Sequence, residues 1–283
     1  MSLRQEADKL LGKNAESLTR LIMINVIVFI IANIISSIPT THYWVDYVSL
    51  PSSFTMLAHY PWTIFTYMFV HVSFMHLLSN MLWLYWIGII FADFMGQMRL
   101  IYTYILGGIA GGIMYLATAP ILYPHEIGGN LIGASAGVMA VIVAAAMLVP
   151  DYEIMLLLFG RVKLKYLAIA AFILSSVIDF SVNSGGKVSH IGGAIYGAVF
   201  LWQYRKGVDI SGGFGNFIKN IGNIFRGKRM KVSSRSSKAK TQTSSSRDKQ
   251  RRIDEILDKI SRSGYDSLSK EEKDFLFKSS KEN

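Results

Sequence analysis

The chain has no cysteine, only six prolines in 283 residues, and few charges before about residue 206. The missing cysteine excludes disulfides, thiol nucleophiles and cysteine-based metal centres. The scarcity of charge excludes an ordinary soluble surface. Charged residues make up 17% and hydrophobic residues 51% of the chain, and long uncharged windows alternate with short charged links. No cleavable signal peptide is visible, because residues 1–20 are charged and read as a short amphipathic helix. This is the pattern of an integral membrane protein with a polar, basic tail, so the net charge of +10 belongs largely to that tail.

Six uncharged windows stand at about 21–40, 72–92, 100–119, 132–149, 166–183 and 188–204. A bilayer core of about 30 Å needs roughly twenty helical residues, so the expected fold is all-α with six membrane-spanning helices. Lys and Arg set the orientation. Arg4, Lys9, Lys13 and Arg20 precede the first window, Arg99 lies in the second link, and Arg161, Lys163 and Lys165 lie in the fourth. Arg205 and Lys206 follow the sixth window, whereas the first and third links have neither Lys nor Arg. Both termini are therefore expected on the cytoplasmic side of the cell's inner membrane. The first external link carries Tyr43, Trp44, Tyr47, Phe54, Tyr60 and Trp62. Aromatic residues favour the headgroup region, so this loop is expected to lie partly in the bilayer with its backbone satisfied internally.

Polar residues inside the apolar windows carry the functional signal. Ser135 sits in Gly133-Ala134-Ser135-Ala136-Gly137. No strand-like run leads into it, so the elbow of a soluble hydrolase does not fit; two glycines four apart also read as a helix-packing motif. His76 and Asn80 share a helix face near the start of the second window. His190 opens the sixth. Windows two, four and six all run inward from outside, which brings these four residues to one depth below the external surface. Packing explains that coincidence poorly; a water-filled catalytic pocket explains it well. A serine hydroxyl needs a base, for which His190 is the candidate. The oxyanion formed on a peptide carbonyl needs donors, which His76, Asn80 and the Ser135 N–H supply. No acidic residue lies at that depth, because Asp93 and Asp179 fall at far window ends or near loops. The expectation is a Ser-His dyad without a third acidic member. Met139, one turn inward, is expected against His190, and Gly133, Gly137, Gly193 and Gly197 let the serine and histidine helices approach.

The order H-x4-H-x3-N, then G-A-S-A-G, then H-x-G-G-x3-G, with PWTIFTYMFVHVSFMHLLSNMLWLYWIG, resembles the rhomboid intramembrane serine proteases over about residues 15–206. The resemblance implies that Ser135 is the nucleophile, His190 the base, His76 and Asn80 oxyanion donors, and His71 a structural histidine bracing the first loop. It implies cleavage of transmembrane protein substrates without metal, ATP or other cofactor. Two positions depart from the common pattern: Thr63 follows Trp62 where many members have arginine, and Met139 stands where many have an aromatic ring. A catalytically inactive relative that binds membrane proteins is the alternative, although such relatives usually lack the serine or the histidine. A transporter is the third reading; no pair of broken half-helices in matching repeats supports it.

The domain plan is a cytoplasmic segment at 1–17, a six-helix domain at 18–206, an interfacial helix and basic disordered linker at 207–252, and a helical hairpin at 253–283. Phe214, Phe217, Ile218, Ile221, Ile224 and Phe225 form the stripe of the interfacial helix. From Arg226 to Arg252 there are eleven Lys or Arg and one acid, which leaves nothing for a core. Anionic lipid headgroups are the expected partner of this segment. Nucleic acid is not expected, since no aromatic residues are interleaved for base stacking. Ser269 and Glu272 form a capping box before the last helix.

Overall fold

The computed structural model describes residues 16–122, 130–156, 159–177, 184–225 and 244–281. Its elements are α1 (Glu16–Ser36), a 3-10 segment Pro39–Tyr47, α2 (Phe54–His59), α3 (Thr63–Thr66), α4 (Phe74–Met95), α5 (Gln97–Leu122) and α6 (Ser135–Leu148), then strands β1 (Glu153–Leu156) and β2 (Gly160–Lys163). They are followed by α7 (Leu164–Ser176), α8 (Ser184–Arg205), α9 (Ile210–Phe225), α10 (Ser244–Ser263) and α11 (Lys270–Lys281). Two compact units divide the chain, one ending at Ile221 and one beginning at Gly222.

The first unit is a helical membrane bundle. Each of the six apolar windows forms a helix, but the helices differ in what they can span. Helices α1, α4 and α5 are long and apolar enough to cross a membrane. Helix α6 has 14 residues and α7 has 13, about 21 Å and 20 Å at 1.5 Å per residue. The expectation of a serine helix running from residue 132 is corrected here. Gly133 has φ +116 and Ala134 forms a turn, so regular helix starts only at Ser135. Ten residues of α6 are buried, among them Ala136, Val138, Met139, Ala140, Ile142 and Ala144. A helix apolar all round belongs in a core, and α6 is packed by α4, α5, α7 and α8.

Small residues set how closely these helices meet. A Cβ placed on Gly137 would lie 2.6 Å from the Tyr104 carbonyl oxygen, and one on Gly192 would lie 2.9 Å from that of Ala110. Gly193 and Gly197 pass directly against the Ala136 and Ala140 backbones, leaving no room for a side chain. Close backbone approach is how membrane helices gain packing without a hydrophobic driving force.

The all-α fold carries one small strand pair. Strands β1 and β2 form an antiparallel hairpin between α6 and α7, with Glu153 opposite Lys163 and Ile154 opposite Val162. Gly160, at φ +70, supplies the left-handed residue near the turn. Several backbone groups of the first link, 41–71, bond within the protein. Leu50 and Leu131 exchange N–H···O bonds of 2.9 and 2.8 Å, Trp62 Nε1 donates to Tyr47 O at 2.7 Å, and Thr66 Oγ1 donates to Val48 O at 2.7 Å. Thr63 is fully buried and donates to Tyr60 O at 2.7 Å. Tyr43, Tyr47, Phe54 and Trp62 remain on the outer surface.

Helix α9 begins docked. Arg99 Nε donates to Asp209 Oδ2 at 2.9 Å, and Asp209 Oδ1 accepts from Ser211 Oγ at 2.6 Å and Gly212 N at 2.8 Å. Phe214 packs edge-on against Tyr102 with centroids 5.6 Å apart, while Phe217 is 58% exposed. The two phenylalanines therefore do not share one environment. Side chains at Ile218, Ile221, Ile224 and Phe225 lie outside the described residues. Burial pushes the Asp209 carboxyl upward, but the Ser211, Gly212 and Arg99 hydrogen bonds prevail and hold it below the usual carboxylate value. A lowered carboxyl stabilises the folded form above its unfolded value of about 3.9 and loses that contribution as pH falls through the lowered one. Amide protection factors at the start of α9, with the intrinsic pH dependence of exchange divided out, are expected to fall below about pH 4. Asp209→Asn should exchange faster at neutral pH and lose that acid dependence.

In the second unit the capping box is present. Glu272 N donates to Ser269 Oγ at 3.2 Å and Ser269 N donates to Glu272 Oε2 at 2.7 Å, while Lys259 Nζ reaches the same carboxylate at 3.0 Å. The Ser269 N–H and Lys259 hold that carboxyl below its usual value. Ile256 and Leu268 are buried, with Phe275 under the Arg252 guanidinium at 5.1 Å. Helix α10 starts at Ser244 rather than at 253, so 244–252 is not linker. Lys, Arg and Gln are good helix formers, and Arg251–Glu255 and Arg262–Asp258 are pairs four apart. The rest of the expected linker, 226–243, and residues 1–15 lie outside the described residues.

Candidate active site

Three helices and a turn bring the polar residues together. Ser135 is the first residue of α6, His190 stands in the second turn of α8, and His76 and Asn80 lie on α4. All four line one cavity of about 300 Å³, with Trp83, Val138, Met139, Ile142, Leu174 and Ser175 completing its wall. Ser135 Oγ and His190 Nε2 are 2.6 Å apart. The other ring nitrogen, Nδ1, is 3.0 Å from the carbonyl oxygen of Ser175, at the end of α7.

These two contacts assign the imidazole protons. A carbonyl only accepts, so Nδ1 carries the hydrogen and Nε2 is left as the acceptor of the serine O–H. The third member missing from the sequence reading is thus a main-chain oxygen. A backbone carbonyl has no residue-type signal, so no sequence pattern points to it. Asp179 lies outside the described residues.

The serine is presented by a heavily tied turn. Gly133 N donates to Tyr67 O at 2.9 Å, and Ala134 N donates to His71 Nε2 at 3.2 Å. A Cβ on Gly133 would lie 2.7 Å from His76 Cε1, so glycine is needed there for both its φ and the adjacent ring. His71 is fully buried and stands edge-on to His76, with ring centroids 5.0 Å apart. Its ring bears on the turn before Ser135. Asn80 Nδ2 donates to His76 O at 2.9 Å and lies 3.4 Å from His71 Nε2.

The first intrahelical bond of α6 runs from Val138 N to Ala134 O. Among the described residues, the Ser135, Ala136 and Gly137 N–H groups therefore have no backbone partner at the positive end of the helix dipole. Anionic oxygen is favoured at such a terminus. Met139 is buried one turn inside and lines the same cavity as His190.

A family of unknown function, DUF6576, matches residues 243–282, which covers α10 and α11. RHOMBOID-like protein 12, mitochondrial, of Arabidopsis thaliana is 29% identical over 161 residues, covering 51% of this chain and 47% of that protein. The chain thus spans about half the length of this curated relative. The Rhomboid domain matches residues 58–207, just over half of the chain and the whole of the serine, histidine and asparagine constellation, and the chain belongs to the rhomboid family.

Proposed function

We propose that the protein is an intramembrane serine endopeptidase, with six spans, both termini cytoplasmic, in a cell's inner membrane. The observation that carries this reading is the 2.6 Å contact of Ser135 Oγ with His190 Nε2, in a ring whose other nitrogen is held by Ser175 O. His190 takes the hydroxyl proton as Ser135 attacks the scissile carbonyl. The tetrahedral oxyanion is met by the Ser135 N–H, His76 and Asn80, of which Asn80 first releases the His76 carbonyl. Nδ1–H stays bonded to Ser175 O, which stabilises the imidazolium until its proton passes to the leaving amine. Water entering the cavity then hydrolyses the acyl-enzyme by the same base. Because the cavity is walled by apolar residues of α4, α6 and α7, its substrates are transmembrane segments, cut near small residues as the family resemblance implies. The basic stretch 226–252 engages anionic headgroups.

A fluorophosphonate probe tests the reading, since it reacts only with an activated serine. The full-length protein in detergent is expected to label at Ser135 and Ser135→Ala is expected to stay blank. An unlabelled wild type would favour the inactive, protein-binding alternative.

A further inference from the structure

A second hollow, of about 470 Å³, lies between α6, α7 and α8 and is lined by other residues of these helices than the catalytic cavity. This falls within the range of about 300–1,000 Å³ typical of ligand clefts. Its floor is made of small buried residues, Ala146, Ala168 and Ala194, and its rim of Ile169 and Ile195, each about half exposed. One charged residue lines it, Lys165, at the end where α7 begins.

Charge collects at that end. Lys163 and Lys165 share a single carboxylate, Asp151, at 3.1 and 2.9 Å, so two ammonium groups meet one negative charge. Arg205 adds a guanidinium bonded to the Met147 carbonyl, another residue of the groove. Apolar along its length and cationic at its cytoplasmic mouth, the groove matches a molecule with an apolar chain and an anionic head. Width argues against a helix as occupant. One helical turn, about 10 Å across and 5.4 Å in pitch, already fills about 420 Å³, so the groove holds a single turn at most.

We propose that this groove binds one anionic glycerophospholipid of the cytoplasmic leaflet, an acyl chain between α6, α7 and α8 and the phosphate at Lys165. The site is independent of whether Ser135 reacts. Basic pockets between membrane helices on the cytoplasmic side recognise such headgroups, each Lys or Arg near the surface being worth about 1 kcal/mol, about fivefold in binding.

The absence of native cysteine makes the test direct. The full chain with Ile169→Cys carries a single fluorophore at the groove rim, in vesicles containing brominated phosphatidylglycerol or brominated phosphatidylcholine. Brominated phosphatidylglycerol is expected to quench with about fivefold higher apparent affinity than brominated phosphatidylcholine. Lys165→Gln, a change at a partly exposed position, should erase that preference, and Ala198→Phe, which fills the groove, should reduce quenching by both lipids. Equal affinity in the unmutated groove, or a preference that survives Lys165→Gln, would overturn the proposal. So would an Ile169→Cys protein that forms a disulfide-linked dimer in the membrane, which would make a second copy the occupant.

Discussion

Replacing Ser135 with alanine or His190 with asparagine is expected to lower the cleavage rate of a reporter transmembrane substrate by about 10⁴-fold or more. That corresponds to about 5.4 kcal/mol of transition-state stabilisation at about 1.36 kcal/mol per decade. The double variant should be no slower than either single one, because nucleophile and base act as a unit. Asn80→Ala removes only a donor and should cost about 10²–10³-fold, with the serine still open to a fluorophosphonate. Turnover of the reporter by the reconstituted full chain measures all four. Near-normal turnover by Ser135→Ala would end the proposed chemistry.

The second large effect is structural. Gly193→Ala introduces one methyl group where α8 touches the Ala136 backbone. Backbone cannot rotate away as a side chain can, so the helices must separate, and about 3 kcal/mol of destabilisation is expected. The same substitution at Gly213, a helical glycine with nothing within 4 Å of its missing Cβ, should be stabilising by about 0.5–1 kcal/mol. Opposite shifts in the thermal unfolding of the two variants are the predicted outcome. Equal shifts would mean that helix propensity, and not the α6–α8 approach, governs Gly193. Separation would also draw Ser135 away from His190, so Gly193→Ala should lose activity even at temperatures where it remains folded.

The comparison with the sequence reading divides along a physical line. Helix positions were legible because apolar windows have a length and a composition. The meeting of Ser135, His76, Asn80 and His190 was legible because orientation by Lys and Arg converts position along a window into depth. What depended on main-chain geometry was not legible. The late start of α6 follows from the positive φ at Gly133, and nothing in G-A-S-A-G separates that turn from one more helical residue. The β1–β2 hairpin is too short to show alternation against its charged surroundings. The resemblance marked His71 as structural, but nothing in its surroundings showed that its ring accepts from Ala134 N, 63 positions away. The extra turns of α10 were hidden by their charge, since a run of Lys, Arg and Ser reads equally as solvated coil.

The His190 ring is held by Ser175 O, and every residue type has a carbonyl oxygen. No substitution at position 175 deletes that tether; only a shift of α7 can. Side-chain scanning will therefore record the position as permissive while the rate stays interlocked with where one short helix stands. Evolution is free to redecorate α7 for new membranes or new substrates, provided that its final turn arrives in register with the imidazole.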